Sequence, residues 1–163
     1  MLECLPMVVR AAALLFLATC LLVSCAKPAE TERLPDLRLP TYSAQEGPPL
    51  SSCPARKCLT VYVAPWCGSC RESTPMLIVL RQYLQRHGVA TRFVVGQDRL
   101  EALRGYAREF GPDTLLDLDD ALMVGGVPHF FVTDSGGVIL REVSGVPMGS
   151  YSVEEFAAAF GLP

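Results

Sequence analysis

Several things are missing from this sequence, and each absence removes a class of protein. There is no long hydrophobic run. The longest, within RAAALLFLATCLLVSC at 10–25, is about 14 residues, whereas a helix needs about 20 to cross a bilayer. There is no surplus of positive charge: 14 Lys and Arg stand against 17 Asp and Glu, net −3, so no basic patch is offered to nucleic acid. No segment repeats and no glycine-rich phosphate loop occurs, which removes solenoids and the common nucleotide-binding motifs. At 163 residues the chain has room for one domain and a leader, not two domains. Half of it is hydrophobic, enough for a real core.

The apolar run follows Arg10 and ends in a small residue before Cys25, the proportions of a signal-peptide core. Leu22-Val23-Ser24-Cys25 resembles a bacterial lipoprotein box, in which the leader is cut before the cysteine and a diacylglyceryl group is attached to its sulfur. An uncleaved anchor or an ordinary secretory leader is the alternative. A start at Met7 would remove Glu3, an acid out of place in such a leader. Of seven cysteines, Cys4 and Cys20 leave with the leader and Cys25 is lipidated. Cys53, Cys58, Cys67 and Cys70 remain, an even number, as expected of an exported protein in an oxidising compartment. Four cysteines allow three pairings, and the spacing favours two local ones.

Residues 26–50, rich in Pro, Ala, Glu and Ser, read as an extended tether, although LPDLRLP could pair at a sheet edge. LTVYVA (59–64) reads as a buried strand. SCRESTPMLIVLRQYLQRHG (69–88) has helical spacing, with Met76, Leu77, Leu80 and Leu84 on one side and Gly88 at its end. VATRFVVG (89–96) is a second strand, and DRLEALRGYAREFG (98–111) an amphipathic helix with Leu100, Leu103, Ala107 and Phe110 inward. HFFVT (129–133), the turn DSGG and VILREV (138–143) form a hairpin. Ser152 and Glu155 make a capping box for a last helix. Alternating strands and helices followed by a hairpin predict an α/β fold, a mixed sheet with helices on both faces.

A helix beginning at Cys67 places its sulfur among unpaired N–H groups, which stabilise a thiolate. Arg71 adds to this field and Glu72 opposes it. Cys70 lies one turn in, within reach of a small disulfide ring. Cys67 is then the exposed, attacking sulfur and Cys70 the buried, resolving one. A purely structural disulfide is the alternative, but so tight a ring suits redox exchange better than stapling. A four-cysteine zinc cage fails on distance, because Cys58 and Cys67 bracket a strand and stand roughly 20 Å or more apart. Cys53 and Cys58 read as a structural disulfide pinning the tether, with a second redox pair as the alternative. Trp66 reads as a packing residue that shields Cys70 and shapes the substrate surface. Asp117, Asp119 and Asp120 read as a solvated loop face.

WCGSC at 66–70, Pro75 five residues later and GGVPHFFVTDSGGVI at 125–139 resemble the thioredoxin superfamily over roughly 58–163. The resemblance implies a thioredoxin-like fold, a central mixed sheet flanked by helices and ending in a hairpin and C-terminal helix. It implies a cis-proline at Pro128 facing the dithiol, with Val127 pairing by backbone to the substrate. Leader, extra segment before Pro128 and the wording LPDLRLP…RKCLTVYVAPWC are most similar to the TlpA-like, membrane-tethered branch, which includes cytochrome c maturation reductases. Two departures stand out: Val61 and Ser73 occupy positions where relatives carry acids that move a proton at the buried sulfur.

The expected organisation is a lipoprotein signal peptide at 1–24, the lipidated Cys25 and a tether at 25–52, and a thioredoxin-like domain at 53–163. The expected function is lipid-anchored, extracytoplasmic thiol–disulfide exchange through Cys67 and Cys70, leaning toward reduction of protein disulfides. The protein partners are those substrates and a redox donor, the location is the periplasmic side of a bacterial envelope, and no cofactor or metal is called for. The alternatives are a dithiol oxidase and a copper-handling or redox-sensing module using Cys67, Cys70 and His129.

Overall fold

In a computed structural model, residues 31–147 and 152–163 are described; the expected signal peptide at 1–24 and Cys25 lie outside them. The elements are β1 (Lys57–Val63), α1 (Gly68–Arg86), β2 (Val89–Gly96), α2 (Leu100–Ala107), β3 (Leu115–Asp117), β4 (His129–Asp134), β5 (Ile139–Ser144) and α3 (Val153–Ala158). One five-stranded sheet runs in the order β3-β2-β1-β4-β5. β1, β2 and β3 are parallel, β4 is antiparallel to β1, and β5 is antiparallel to β4. β3 was not apparent in the sequence, where it is three residues long beside aspartates.

The strand order dictates where the helices go. β1, β2 and β3 step in one direction, so the two right-handed crossovers through α1 and α2 pass over the same face. The core shows it: Leu77, Leu80 and Leu84 of α1, Leu103 and Tyr106 of α2, and Phe156 of α3 all pack with Leu59, Val61, Phe93 and Phe130. Each buried position follows its helical period, as in Cys70, Thr74, Leu77, Leu80 and Leu84. Leu100 departs from the expected inward set and is exposed at the start of α2. α3 begins with the anticipated capping box, Ser152 Oγ accepting from Glu155 N–H while Glu155 Oε2 accepts from Ser152 N–H.

With the helices on one face, something else must cover the other. The segment expected to be a free tether does so from Thr31 onward, which corrects that reading. Leu34, Leu39 and Leu50 are buried against Tyr62, Val94, Leu115 and Phe131. This strap bridges β3 through Thr41 and Leu115, and the chain leading into β5 through Arg33 and Val138. It thereby screens both open edges of the sheet. Leu116 N–H donates to Pro40 O at 2.8 Å and Tyr42 N–H to Thr114 O at 2.7 Å. Gly47 permits the crossing, since a Cβ there would lie 2.6 Å from Leu39 O.

The end of the strap is clamped twice. Arg92 donates to Pro49 O at 3.0 Å, to Leu50 O at 3.3 Å and to Ser52 O. Burial pulls its guanidinium pKa down, but these carbonyls meet the charge. Beyond it, Cys53 and Cys58 form a disulfide. A ring this short should restrict the unfolded chain by about 2 kcal/mol. The Cys53→Ser, Cys58→Ser double variant should lose that much in thermal or urea unfolding and keep its turnover of a disulfide substrate. Lost turnover at unchanged stability would make the pair a redox partner instead.

Candidate active site

β1 ends at Val63, and four residues later α1 is capped by Cys67. The cap is made by sulfur: Cys67 Sγ lies 3.1 Å from Cys70 N–H and 3.3 Å from Ser69 Oγ. Cys67 and Cys70 are joined as a disulfide. Across from it Cys67 Sγ is 3.6 Å from Val127 O, and the Val127–Pro128 bond is cis. Pro128 O accepts from Gly145 N–H at 2.7 Å, which ties this loop to the end of β5. Cys67, expected to be exposed, is only 4% so in the disulfide, against 0% for Cys70. The difference has a simple cause, because the sulfur turns inward to its partner and to the Val127 loop.

Cys70 sits in the helix-side core. Its carbonyl accepts from Ser73 Oγ at 3.1 Å and Thr74 Oγ1 at 2.9 Å, and Thr74 is 2.8 Å from Tyr106 OH. Val61, on the same face, is fully buried. Burial pushes the Tyr106 phenol up, so it stays protonated and acts as a hydrogen-bonding post, not a base. Arg71 stacks over Tyr106 at 4.1 Å, donates Nε to Pro65 O at 3.0 Å and pairs with Glu109. Its role is to hold the strand–helix junction in place.

Trp66 departs from the packing role expected of it. It is 62% exposed, tied by its indole N–H to Gln97 O at 2.8 Å. Gln97, a residue with no sequence signal, has φ +60°. Its N–H donates to Asp120 Oδ1 at 2.8 Å and its amide to Val124 O at 3.3 Å. Gln97 thus links the tryptophan, through its backbone carbonyl, to the loop preceding Val127, through its side-chain amide.

His129 is not part of this group. On β4, Phe130 and Val132 join the helix-side core, so His129 and Phe131 face the strap. Its ring nitrogens lie 2.7 Å from Glu142 Oε1 and 3.2 Å from Gly126 O. The copper reading through Cys67, Cys70 and His129 is therefore corrected, since the sheet lies between them. No cluster of three or more metal-ligating side chains occurs among the described residues. Of the expected solvated acidic face, Asp119 and Asp120 are exposed as anticipated, and only Asp117 needs correction. Asp117 is buried and accepts from Tyr62 OH at 3.2 Å and from the N–H groups of Ala121 and Leu122. Burial, with Asp117 second, drives the Tyr62 phenol pKa upward.

No protein-family model matches the chain. The thiol:disulfide interchange protein HelX of Rhodobacter capsulatus is 34% identical over 94 residues, 53% of this chain and 51% of that protein. The chain thus spans about half the length of this curated relative. Among solved structures, a secreted Mycobacterium tuberculosis disulfide oxidoreductase aligns with TM-score 0.61 at 17% identity, covering 77% of this chain and 95% of that one. The exposed lipoprotein thioredoxin of Streptococcus pneumoniae aligns with TM-score 0.61 at 15% identity, covering 78% and 98%. Identities this low establish the fold, which is thioredoxin-like. In this thioredoxin-like fold the Cys67–Cys70 disulfide stands at the strand–helix junction.

Proposed function

We propose that the protein is an extracytoplasmic thiol–disulfide oxidoreductase of the TlpA-like kind, held to a membrane by a lipid on Cys25, and that it reduces protein disulfides. The observation that carries the exchange chemistry is the Cys67 sulfur, which caps α1, accepts the Cys70 N–H and faces the Val127 carbonyl. In the reduced protein that N–H and the helix N-terminus stabilise a Cys67 thiolate. It attacks one sulfur of a substrate disulfide; the second substrate sulfur leaves as thiolate and takes a proton. Cys70 then gives up its proton and attacks Cys67 Sγ, re-forming the internal disulfide and expelling the first substrate sulfur, which takes up a proton as a thiol. Two electrons pass to the substrate, and a dithiol donor restores the protein. Trp66 offers an apolar platform, and Val127 and Pro128 a backbone edge, for the substrate chain. No cofactor takes part, because the sulfurs themselves carry the electrons.

The names of similar proteins support the reading: HelX is a thiol:disulfide interchange protein and the pneumococcal structure an exposed lipoprotein. Equilibration of the Cys67–Cys70 pair against glutathione or dithiothreitol buffers tests the direction. A potential near about −270 mV is expected of a reductase, and one near about −120 mV would make the protein an oxidase.

A further inference from the structure

We propose that the end of the domain opposite the dithiol is a docking surface for an anionic lipid bilayer, so that Cys67 and Cys70 point away from the membrane. The proposal rests on the lipid anchor at Cys25 put forward above. β1 runs toward the dithiol and β4 runs back from it to Asp134. The far end therefore carries Lys57, the turn at 134–138 and the start of β2.

The strap meets the domain at this end. Ile139 N–H donates to Glu32 O at 2.9 Å, Leu34 N–H to Gly137 O at 3.0 Å, and Arg33 to Gly136 O at 2.7 Å. Only residues 26–30 separate Cys25 from Thr31, a reach of at most about 20 Å even when fully extended. The dithiol lies beyond the seven residues of β1, about 23 Å of strand. A lipid on Cys25 keeps the strap end near the bilayer, and the dithiol reaches it only if the domain turns over.

The surface chemistry at this end fits the same occupant. A cavity of about 300 Å³ is lined by Arg56, Lys57, His87, Leu140 and Pro163 among others. Among the described residues neither Arg56 nor Lys57 pairs with a carboxylate; Lys57 donates to Gly161 O at 3.2 Å. Leu140 is 52% exposed. Cations beside an exposed leucine suit a bilayer interface, where phosphates meet the cations and the apolar side chain enters the acyl boundary. Of the acids at this end, Asp134 accepts from Gly136 and Val138 N–H, Asp36 accepts from Ser51 Oγ at 2.9 Å, and Glu32 stands next to Arg33 in the chain. The dithiol end carries Glu72, Asp98 and Asp119 beside Arg71 and Arg99, so it offers an anionic surface no comparable unpaired cationic patch.

The test uses the full lipidated chain in vesicles of phosphatidylglycerol and phosphatidylethanolamine with brominated acyl chains. Trp66 is the only tryptophan and reports on the dithiol end. Its fluorescence should resist the brominated lipid yet be quenched by acrylamide from the water. In a Trp66→Phe, Leu140→Trp variant the reporter at 140 should be quenched by the lipid. Adding Arg56→Gln and Lys57→Gln should lower the membrane-facing population about fivefold for each cation removed. The same two changes, made with Trp66 in place, should leave turnover of a soluble disulfide unaltered. Quenching of Trp66 as strong as at 140, or indifference to both charges, overturns the orientation. If the chain floats with the vesicles while the reporter at 140 stays bright, the anchor stands and this proposal falls. If it does not float, both fall.

Discussion

Cys67→Ser should abolish disulfide exchange, lowering turnover by about 10³-fold or more, without unfolding the protein. The second half of that expectation follows from the cap. Cys67 ends the turn before α1 and its sulfur accepts the Cys70 N–H. Serine is among the best residues at that position, so its hydroxyl can take over the cap while lacking the nucleophile. Cys70→Ser should behave differently. Cys67 can still attack, but nothing resolves the product, so a mixed disulfide between Cys67 and the substrate should accumulate. Non-reducing electrophoresis and mass spectrometry of the trapped species would show it. Native turnover by the Cys70→Ser protein would exclude the two-step exchange. The trapped partner would also identify the substrate class.

The dithiol was legible because its signals are local. A strand, a cysteine at the helix start and a second cysteine one turn on fall within twelve residues, 59–70. The Val127–Pro128 segment was legible only by resemblance; no local rule marks it as facing Cys67. What the sequence hid is non-local. Asp117 looks like any loop aspartate until Tyr62, from β1, is seen to donate to it. His129 follows Pro128 directly, yet strand alternation turns it to the other face. Gln97 becomes a link only because Trp66 lands above it. The placement of α1 and α2 on one face was derivable from right-handed crossovers, but only once β3 was known to extend the sheet beyond β2.

The strap was the largest omission, and its leucines show why. Leu34, Leu39 and Leu50 follow neither a period of 2 nor one of 3.6, so no pattern announces that they are buried. Pro, Ser and Glu between them look like those of a linker. In the structure Leu50 is 1% exposed and Leu39 5%, and both fill a sheet face that carries no helix. Leu50→Ala and Leu39→Ala should therefore each cost about 2–5 kcal/mol in urea unfolding. Exchange through Cys67 should persist below the transition, because these leucines lie on the face away from the dithiol. A loss within about 0.5 kcal/mol, as at an ordinary surface position, would mean that the strap peels away freely and is a tether after all. Leu50 lies three residues before Cys53, and Arg92 grips both Leu50 O and Ser52 O. The leucine and the Cys53–Cys58 disulfide thus hold the same stretch of chain. Combining Leu50→Ala with Cys53→Ser and Cys58→Ser should depart from additivity, since sites that share partners couple.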